Sequence, residues 1–290
     1  MKTSVEVIDK ERAQEYIAKV ENGNRPISNG YVRWLIGRQR RNEWQTNGDS
    51  IKFDTNDVLR DGQHRLMMVM QTGMPIEVVV VREIDPKAFI TMDTGKNRNL
   101  ADVLAINKFD NSKLLAQALG WVRRYLINRM YPTGGRTTHE QHLAVLDKHP
   151  ELQESVAFCI DLGNPTGSPG YRSVTPAIHY LFSRIDAAKA NDFIERYVKG
   201  SRLEEQDPIW MLRGQVVDYA SAKVKMKPKS DQIFGLFALA WNAQCDGREV
   251  KQRYTLRDRT PRRPRINGFP KELFLERQEE LPLFEEEEDI

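Results

Sequence analysis

The segment that most constrains this chain is the pentad DGQHR at residues 61–65, which lies between an apolar strand pattern and a Met-rich helix pattern. A turn needs a glycine and an Asx-type residue, but it does not need a histidine and an arginine as well. Gly62 would allow close approach of a ligand, and the amides of Gln63, His64 and Arg65 would open the next helix, where an anion is favoured. The pentad therefore predicts a phosphate-binding turn.

The side chains of the pentad supply the chemistry that such a turn needs. Arg65 can bind two phosphate oxygens, His64 can donate to one, and Asp61 can hold a metal ion or orient a nucleophile. We therefore expect Asp61 and His64 to be catalytic, Asp61 to be a metal ligand, and Gly62, Gln63 and Arg65 to bind a nucleotide. The alternative is that Asp61 caps the helix and that the other residues form a solvated first turn.

A second polar block, MDTGKNRN, follows the next strand pattern. Asp93, Lys96 and Arg98 in this block would close over the same phosphates, which makes them further candidates for nucleotide binding. A solvated loop that ends in a helix cap is the alternative.

The first hundred residues alternate strand and helix patterns, whereas the chain from about residue 100 onward carries helical periodicity. The valine run in MPIEVVVVREI predicts a strand that is buried on both faces. The fold class is therefore α/β, with a small mixed-sheet domain at residues 1–108 and an all-helical domain at 109–247. A basic arm and an acidic, disordered tail are expected at 248–290.

Charge is unevenly distributed, although the net formal charge is only +3. The basic arm, residues 248–265, has eight Lys or Arg against two acidic residues, and a helix at 31–44 adds four arginines. Such strips bind a phosphate backbone without reading its sequence. We expect DNA as a partner, although the arm could instead pack, solvated, across the helical domain. The predicted contacts are Arg38, Arg40, Arg41, Arg253, Arg257, Arg259, Arg262 and Arg263.

The acidic tail, RQEELPLFEEEEDI, contains an apolar island that is typical of a short linear motif. Gln278, Leu281 and Leu283 resemble the peptides with which bacterial replication proteins bind the sliding clamp. The alternative is that the tail folds back and shields the basic arm.

Other residue types exclude several classes of protein. Cys159 and Cys245 lack a CxxC pattern, which suits a reducing cytoplasm and argues against structural zinc. His139 and His142 have the wrong spacing for a zinc protease, and we expect the five tryptophans to lie mostly in the core. No apolar run approaches the length of a membrane span, which predicts a cytoplasmic protein without a membrane partner.

The stretch LRDGQHRL resembles the signature of the ParB/sulfiredoxin-like superfamily, which includes the DndB-type proteins of DNA-modification systems. The order strand, turn, motif, helix, strand is similar too, and FITMDTGKNRNLADVLA resembles a D-x-G-x-x-R block of ParB-like proteins from bacteriophages and mobile elements. The resemblance implies a ParB/sulfiredoxin-like domain that binds ATP or CTP, with Mg²⁺ as an additional expectation. It also implies a DNA-associated protein acting in DNA modification, partition or regulation, with NTP hydrolysis left open.

The sequence departs from three branches of that superfamily. Gln63 stands where sulfiredoxins have their cysteine, and the CTP-binding motif of chromosome-partitioning ParB proteins is absent. The free-serine kinases have the closest pentad but also need a glutamate, for which Glu43 is a candidate. Two other functions therefore remain open: an ATP-dependent kinase of a small molecule or DNA base, and a non-enzymatic DNA-binding regulator. Oligomerisation is a further open expectation.

Overall fold

A computed structural model describes residues 1–21, 26–91, 98–131, 137–163, 173–220, 228–255 and 262–275 of the chain. It divides into a sheet unit, residues 1–97, and a helical unit, residues 98–290. The expected α/β fold class is confirmed, because a four-stranded mixed sheet at the N-terminus is followed by helices.

The sheet unit contains four strands in the order β1-β4-β2-β3. β1 pairs antiparallel with β4, β4 pairs parallel with β2, and β2 pairs antiparallel with β3. The strands are β1 (Lys2–Ile8), β2 (Ser50–Asp54), β3 (Leu59–Asp61) and β4 (Ile76–Ile84). The short turn between β2 and β3 is closed by Asp54, whose buried carboxylate accepts the backbone N–H groups of Asn56 and Val58 and pairs with Arg60.

Three helices pack on one face of this sheet. They are α1 (Lys10–Ile17), α2 (Asn29–Arg40) and α3 (Gln63–Thr72). Val78 and Val80 face these helices and are buried, whereas Val5 and Val7, which lie on the other face, are 62% and 61% exposed. The prediction that the valine run is buried on both faces is therefore wrong: Val79 and Val81 are only partly covered, because the described helices of this unit lie on one side.

The helical unit contains eight α-helices among its described residues, most of them predicted from apolar periodicity. They are α4 (Leu100–Ile106), α5 (Ser112–Leu126), α6 (His139–Lys148), α7 (Leu152–Asp161), α8 (Thr175–Ser183), α9 (Ala187–Lys199), α10 (Pro208–Ala220) and α11 (Ser230–Cys245). The predicted capping box of α6 is present, with Thr138 and Gln141 as its two members, and α9 ends at Gly200 in a left-handed conformation.

The core of the helical unit is built around α8, which packs against α5, α7 and α9. Phe182 of α8 stacks on Trp241 of α11, with ring centroids 4.1 Å apart. Trp121 and Trp241 are buried, as expected for tryptophans at apolar helix positions, but Trp210 is 41% exposed, so the expectation fails for that residue. Among the described residues, no helix has the length and apolar character that a membrane span requires.

The described parts of the basic arm, 248–255 and 262–265, pack on the helical unit. Tyr254 exchanges hydrogen bonds with the side chain of Gln215, and the amide side chain of Asn242 donates to the carbonyl of Arg265. The chain then reaches Leu275, whose N–H donates to the carbonyl of Leu126. The acidic tail, including Gln278, Leu281 and Leu283, lies outside the described residues, so clamp docking stays a prediction.

Candidate functional site

A turn is present at residues 61–65 and depends on a glycine at position 62, whereas its binding of phosphate stays a prediction. Gly62 has φ +107° and precedes α3. A Cβ atom at this position would lie 2.9 Å from Cγ1 of Ile51, which is closer than real Cβ contacts allow, and 3.2 Å from its Cα, which is tighter than most such contacts. Gly62 offers no side chain to cap α3, and the first turn of this helix contains no acidic residue. The N-terminal end of α3 therefore keeps the partial positive charge that favours an anion.

Arg65 lies in the first turn of α3, and one nitrogen of its guanidinium makes a structural hydrogen bond within the sheet unit. Its Nη1 donates to the carbonyl oxygen of Ser50 at 2.6 Å, which ties the helix to the start of β2. The side chain is half-buried, and within the described part of the chain its guanidinium makes only this hydrogen bond. A planar guanidinium has five N–H donors, so one bond to a carbonyl leaves donors for an oxyanion.

His64 is held by the N-terminus of α2. The backbone N–H of Ser28, the N-cap of α2, donates to Nε2 of His64 at 3.0 Å. Tyr31 packs edge-to-face against the imidazole, with centroids 5.2 Å apart, and Trp34 stacks on Tyr31 at 5.3 Å. Two helix N-termini and an aromatic pair thus meet at this histidine.

Asp61 has a different environment from the one predicted for a catalytic residue. Its Oδ2 pairs with Nζ of Lys52 at 2.7 Å, and both side chains are mostly buried. Strand pairing aligns Asp61 with Lys52 and Lys52 with Val81, on the sheet face opposite to Val80 and the helices. The carboxylate is therefore neutralised by a lysine. The described residues include no group of three His, Cys, Asp or Glu side chains arranged to bind a metal ion, and the metal role of Asp61 stays a prediction.

The remaining predicted nucleotide ligands lie only partly within the described structure. The side chain of Gln63 is buried, with 8% exposure, rather than directed to solvent. Asp93 and Lys96 lie outside the described residues, and Arg98 begins the helical unit. The predicted closure of this second block over the pentad therefore stays a prediction.

The arginines of α2 differ in their availability to a polyanion. Arg41 forms two hydrogen bonds with the carboxylate of Glu43, at 2.8 and 3.0 Å, and Arg38 donates to the Glu43 carbonyl while lying over the ring of Trp34. Glu43 is thereby occupied as an ion-pair partner and is poorly placed to be the kinase glutamate. Arg40 is exposed at the end of α2.

The predicted DNA contacts in the basic arm also divide into two kinds. Arg253 is 60% exposed and pairs with Asp218, and Arg262 is exposed. Arg263, in contrast, is a fold residue: its guanidinium lies 3.3 Å from the ring centroid of Phe274 and donates to the carbonyl oxygens of Tyr125 and Leu126. The prediction of Arg263 as a nucleic-acid contact is not supported by this environment. Arg257 and Arg259 lie outside the described residues.

The histidines of the helical unit have structural partners. His149 hydrogen-bonds the hydroxyl of Tyr180 at 2.6 Å, and His179 hydrogen-bonds Asn191. Burial lowers the pKa of His142 to about 4, although its hydrogen bond to the Thr138 carbonyl opposes this shift. These residues are therefore neutral components of the helical core near pH 7.

Sequence reasoning missed Ser28, Tyr31 and Lys52 as neighbours of the pentad. Ser28 precedes a predicted helix as a typical N-cap residue, and this pattern alone would have identified it. Its contact with His64 spans 36 positions, and no local pattern reports a contact at that separation.

Comparison with known proteins gives no match: no family model fits this chain, and neither the curated proteins nor the solved structures include a significantly similar one.

Proposed function

We propose that the sheet unit binds the phosphate groups of a nucleotide, ATP or CTP, at the turn formed by residues 61–65. The observation that carries the proposal is the left-handed Gly62, which cannot be replaced without a clash and which opens α3 without a side-chain cap. Backbone N–H groups at the start of a helix, next to Arg65 and His64, are donors suited to phosphate oxygens. This function agrees with the resemblance to ParB/sulfiredoxin-like proteins.

The residues of the site do not fit a protein-bound Mg²⁺ ion. Asp61 is the nearest carboxylate to the turn in sequence, and its charge is already compensated by Lys52. A magnesium ion would therefore be held mainly by the nucleotide's own phosphates, which is a common arrangement for this ion. We accordingly assign no catalytic step to Asp61.

We further propose that the protein associates with DNA through exposed cations of α2 and the basic arm, such as Arg40, Arg253 and Arg262. The lysine-paired Asp61 favours one alternative, a non-enzymatic DNA-binding regulator, since it removes the carboxylate that a phosphoryl-transfer reaction would use. An NTPase or kinase would need a carboxylate from elsewhere in the chain.

A binding experiment tests the nucleotide site. The melting temperature is measured with each of the four NTPs, with and without magnesium, since a ligand at a hundred times its Kd stabilises by about 2.7 kcal/mol. Calorimetry then compares the wild-type chain with Arg65→Ala and His64→Ala, both expected to lose at least tenfold in affinity.

Arg40→Ala is the matched control. Arg40 is the last residue of the twelve-residue helix α2, whose N-cap contacts His64, and it lies roughly 18 Å along the helix from that N-cap. Its nucleotide affinity should equal that of the wild-type chain. Equal affinities in all four proteins would contradict the proposed site. Salt-dependent DNA binding without any NTP binding would favour the regulator.

A further inference from the structure

The two edges of the sheet differ in how much of their backbone is available for pairing. β3 contributes only three residues, and the N–H of Leu59 already donates to the carbonyl of Lys19, at 2.9 Å. β1 contributes seven residues and, among the described strands, pairs with β4 alone. Every second residue of β1 therefore directs its N–H and carbonyl groups to the outer side, where the described residues supply no backbone partner.

β1 also lacks the features with which proteins usually protect such an edge. It pairs with β4 in an unbroken register from Lys2 to Ile8, without a bulge. The strand contains no proline, and lysine occurs only at its first position. Its one acidic residue, Glu6, accepts a hydrogen bond from Tyr16 of α1 and two from Arg82, which compensates its charge. A long, regular and exposed edge of this kind is a template for a further strand.

The open face of the sheet is apolar along this edge. Val5 and Val7 lie on it and are exposed, and Thr3 precedes them on the same face because side chains alternate along a strand. Val79 and Val81 of β4 lie directly beside Val5 and Thr3. β1 thus presents three β-branched side chains next to an unpaired backbone edge, which is the combination that stabilises strand pairing.

A second copy of β1 fits this edge in one register. A two-fold axis between antiparallel strands places one residue opposite itself, as in the self-complementary interface of a symmetric dimer. All seven residues of β1 find partners only when that residue is Val5, the centre of the strand. Thr3 then lies opposite Val7 of the partner subunit, so each of the three open-face side chains meets a β-branched one.

The charges of β1 agree with this register and oppose a neighbouring one. With Val5 at the axis, Lys2 lies opposite Ile8 of the partner subunit and diagonal to Glu6 of the partner subunit, which has the opposite charge. With Glu6 at the axis, two carboxylates would face each other and only residues 4–8 would pair. Seven paired residues supply about seven backbone hydrogen bonds between the chains, which is within the number that a typical protein interface contains.

We propose that the β1 edge, residues 2–8, is the interface at which two copies of this chain form a dimer. The two sheets join into one continuous sheet with four strands from each copy, and the two-fold axis passes beside Val5. The helices of both sheet units then lie on the same face of the joined sheet. The dimer is independent of the nucleotide function, because it uses no residue of the 61–65 turn.

The oligomeric state of the full chain tests this interface. We expect analytical ultracentrifugation to show a dimer at micromolar concentration. Val5→Lys sets two like charges against each other at the axis and should raise the dissociation constant at least about tenfold. Ile106→Lys is the control, since Ile106 is 63% exposed at the end of α4, and it should dimerise like the wild type. A monomeric wild-type chain, or an equally stable dimer in Val5→Lys, would overturn the proposal.

Disulfide cross-linking tests the register and does not depend on that variant. Val5→Cys places two thiols directly opposite each other, with a Cα separation of about 4.5–5.5 Å that suits a disulfide. Val7→Cys is the matched control, at 61% against 62% exposure, because its two thiols would lie roughly 14 Å apart along the strands. Both variants also carry Cys245→Ser, which removes the exposed native thiol. We expect a covalent dimer in Val5→Cys alone, and equal or absent cross-linking in the two variants would contradict the register.

Hydrogen exchange distinguishes the second copy from any other occupant of the edge. In the dimer the outward amides of β1 are protected, whereas in Val5→Lys they should exchange rapidly while the amides that pair with β4 stay protected. Protection of the outward amides in a monomeric chain would mean that a different segment or peptide covers the edge, and the proposed dimer would be refuted.

Discussion

Gly62 is the residue at which the turn is most sensitive to substitution. In Gly62→Ala the new methyl group meets Ile51 at 2.9 Å, in a backbone conformation that side chains rarely adopt. We expect the free energy of unfolding of the sheet unit to fall by roughly 2–4 kcal/mol. The midpoint of urea unfolding, followed by circular dichroism, measures this change.

Gly30→Ala is the control for that prediction. Gly30 lies in the first turn of α2, and a methyl group there would meet no atom within 4 Å apart from its chain neighbours and the backbone of its own helix. Alanine is the better helix former by up to about 1 kcal/mol, so the midpoint should stay the same or rise. A similar loss in both variants would show that the cost at Gly62 does not arise from the turn.

His142 should make the stability of the helical unit depend on pH. Burial lowers its pKa to about 4 in the folded chain, and the nearby Arg123 acts in the same direction. Because the unfolded chain binds this proton more readily, stability is complete above pH 6.5 and is lost as the pH falls from about 6.5 to 4.

In His142→Gln the midpoint of urea unfolding should fall less between pH 6.5 and 4 than it does in the wild-type chain. At pH 4 the difference should correspond to roughly 1–3 kcal/mol in the free energy of unfolding. His149 and His179, whose pKa values burial also lowers, would maintain part of the slope. His139→Gln, which removes a histidine from the same helix, is the control. A slope identical to the wild type in His142→Gln would contradict the prediction.

At the scale of elements, the predictable features were those determined by local chemistry. Gly62 before an apolar helix, the Thr138 capping box and the terminal Gly200 each act within four residues, and the structure places all three as predicted. The prediction for the valine run of β4 failed because burial of the second face depends on what packs across the sheet. Sequence periodicity does not report that the described helices of the sheet unit lie on one side only.

The two faces of β4 should therefore respond differently to the same substitution. Val80→Thr places a hydroxyl among the buried residues beneath the helices and should destabilise the sheet unit by roughly 1–3 kcal/mol. Val79→Thr changes the partly exposed face and should be close to neutral. Urea midpoints of the two variants decide this point, and equal losses would show that both faces are covered in solution.

At the scale of the whole molecule, the composition identifies the basic arm. It does not distinguish the arginines that pack within the protein from those that are exposed to solvent. Consecutive arginines have different environments: Arg262 is exposed, whereas Arg263 lies over Phe274 and burial lowers its pKa. The same limit applies to Asp61, whose partner Lys52 belongs to a neighbouring strand. A charge that is read from sequence is a candidate contact until its intramolecular partner is known.

The pair Arg262 and Arg263 gives a test of DNA association by the arm. Arg262→Ala should weaken binding to double-stranded DNA of any sequence and reduce the slope of log affinity against log salt by about 1, because one phosphate contact is lost. Arg263→Ala should keep that slope but lower the free energy of unfolding by roughly 1–3 kcal/mol, since the Phe274 contact and two carbonyl partners are lost. Fluorescence anisotropy between about 50 and 200 mM salt gives the slopes, and thermal unfolding gives the stability. If Arg262→Ala leaves both the affinity and its salt dependence unchanged, the exposed face of the arm is not where DNA binds, and the cations of α2 become the remaining site to test.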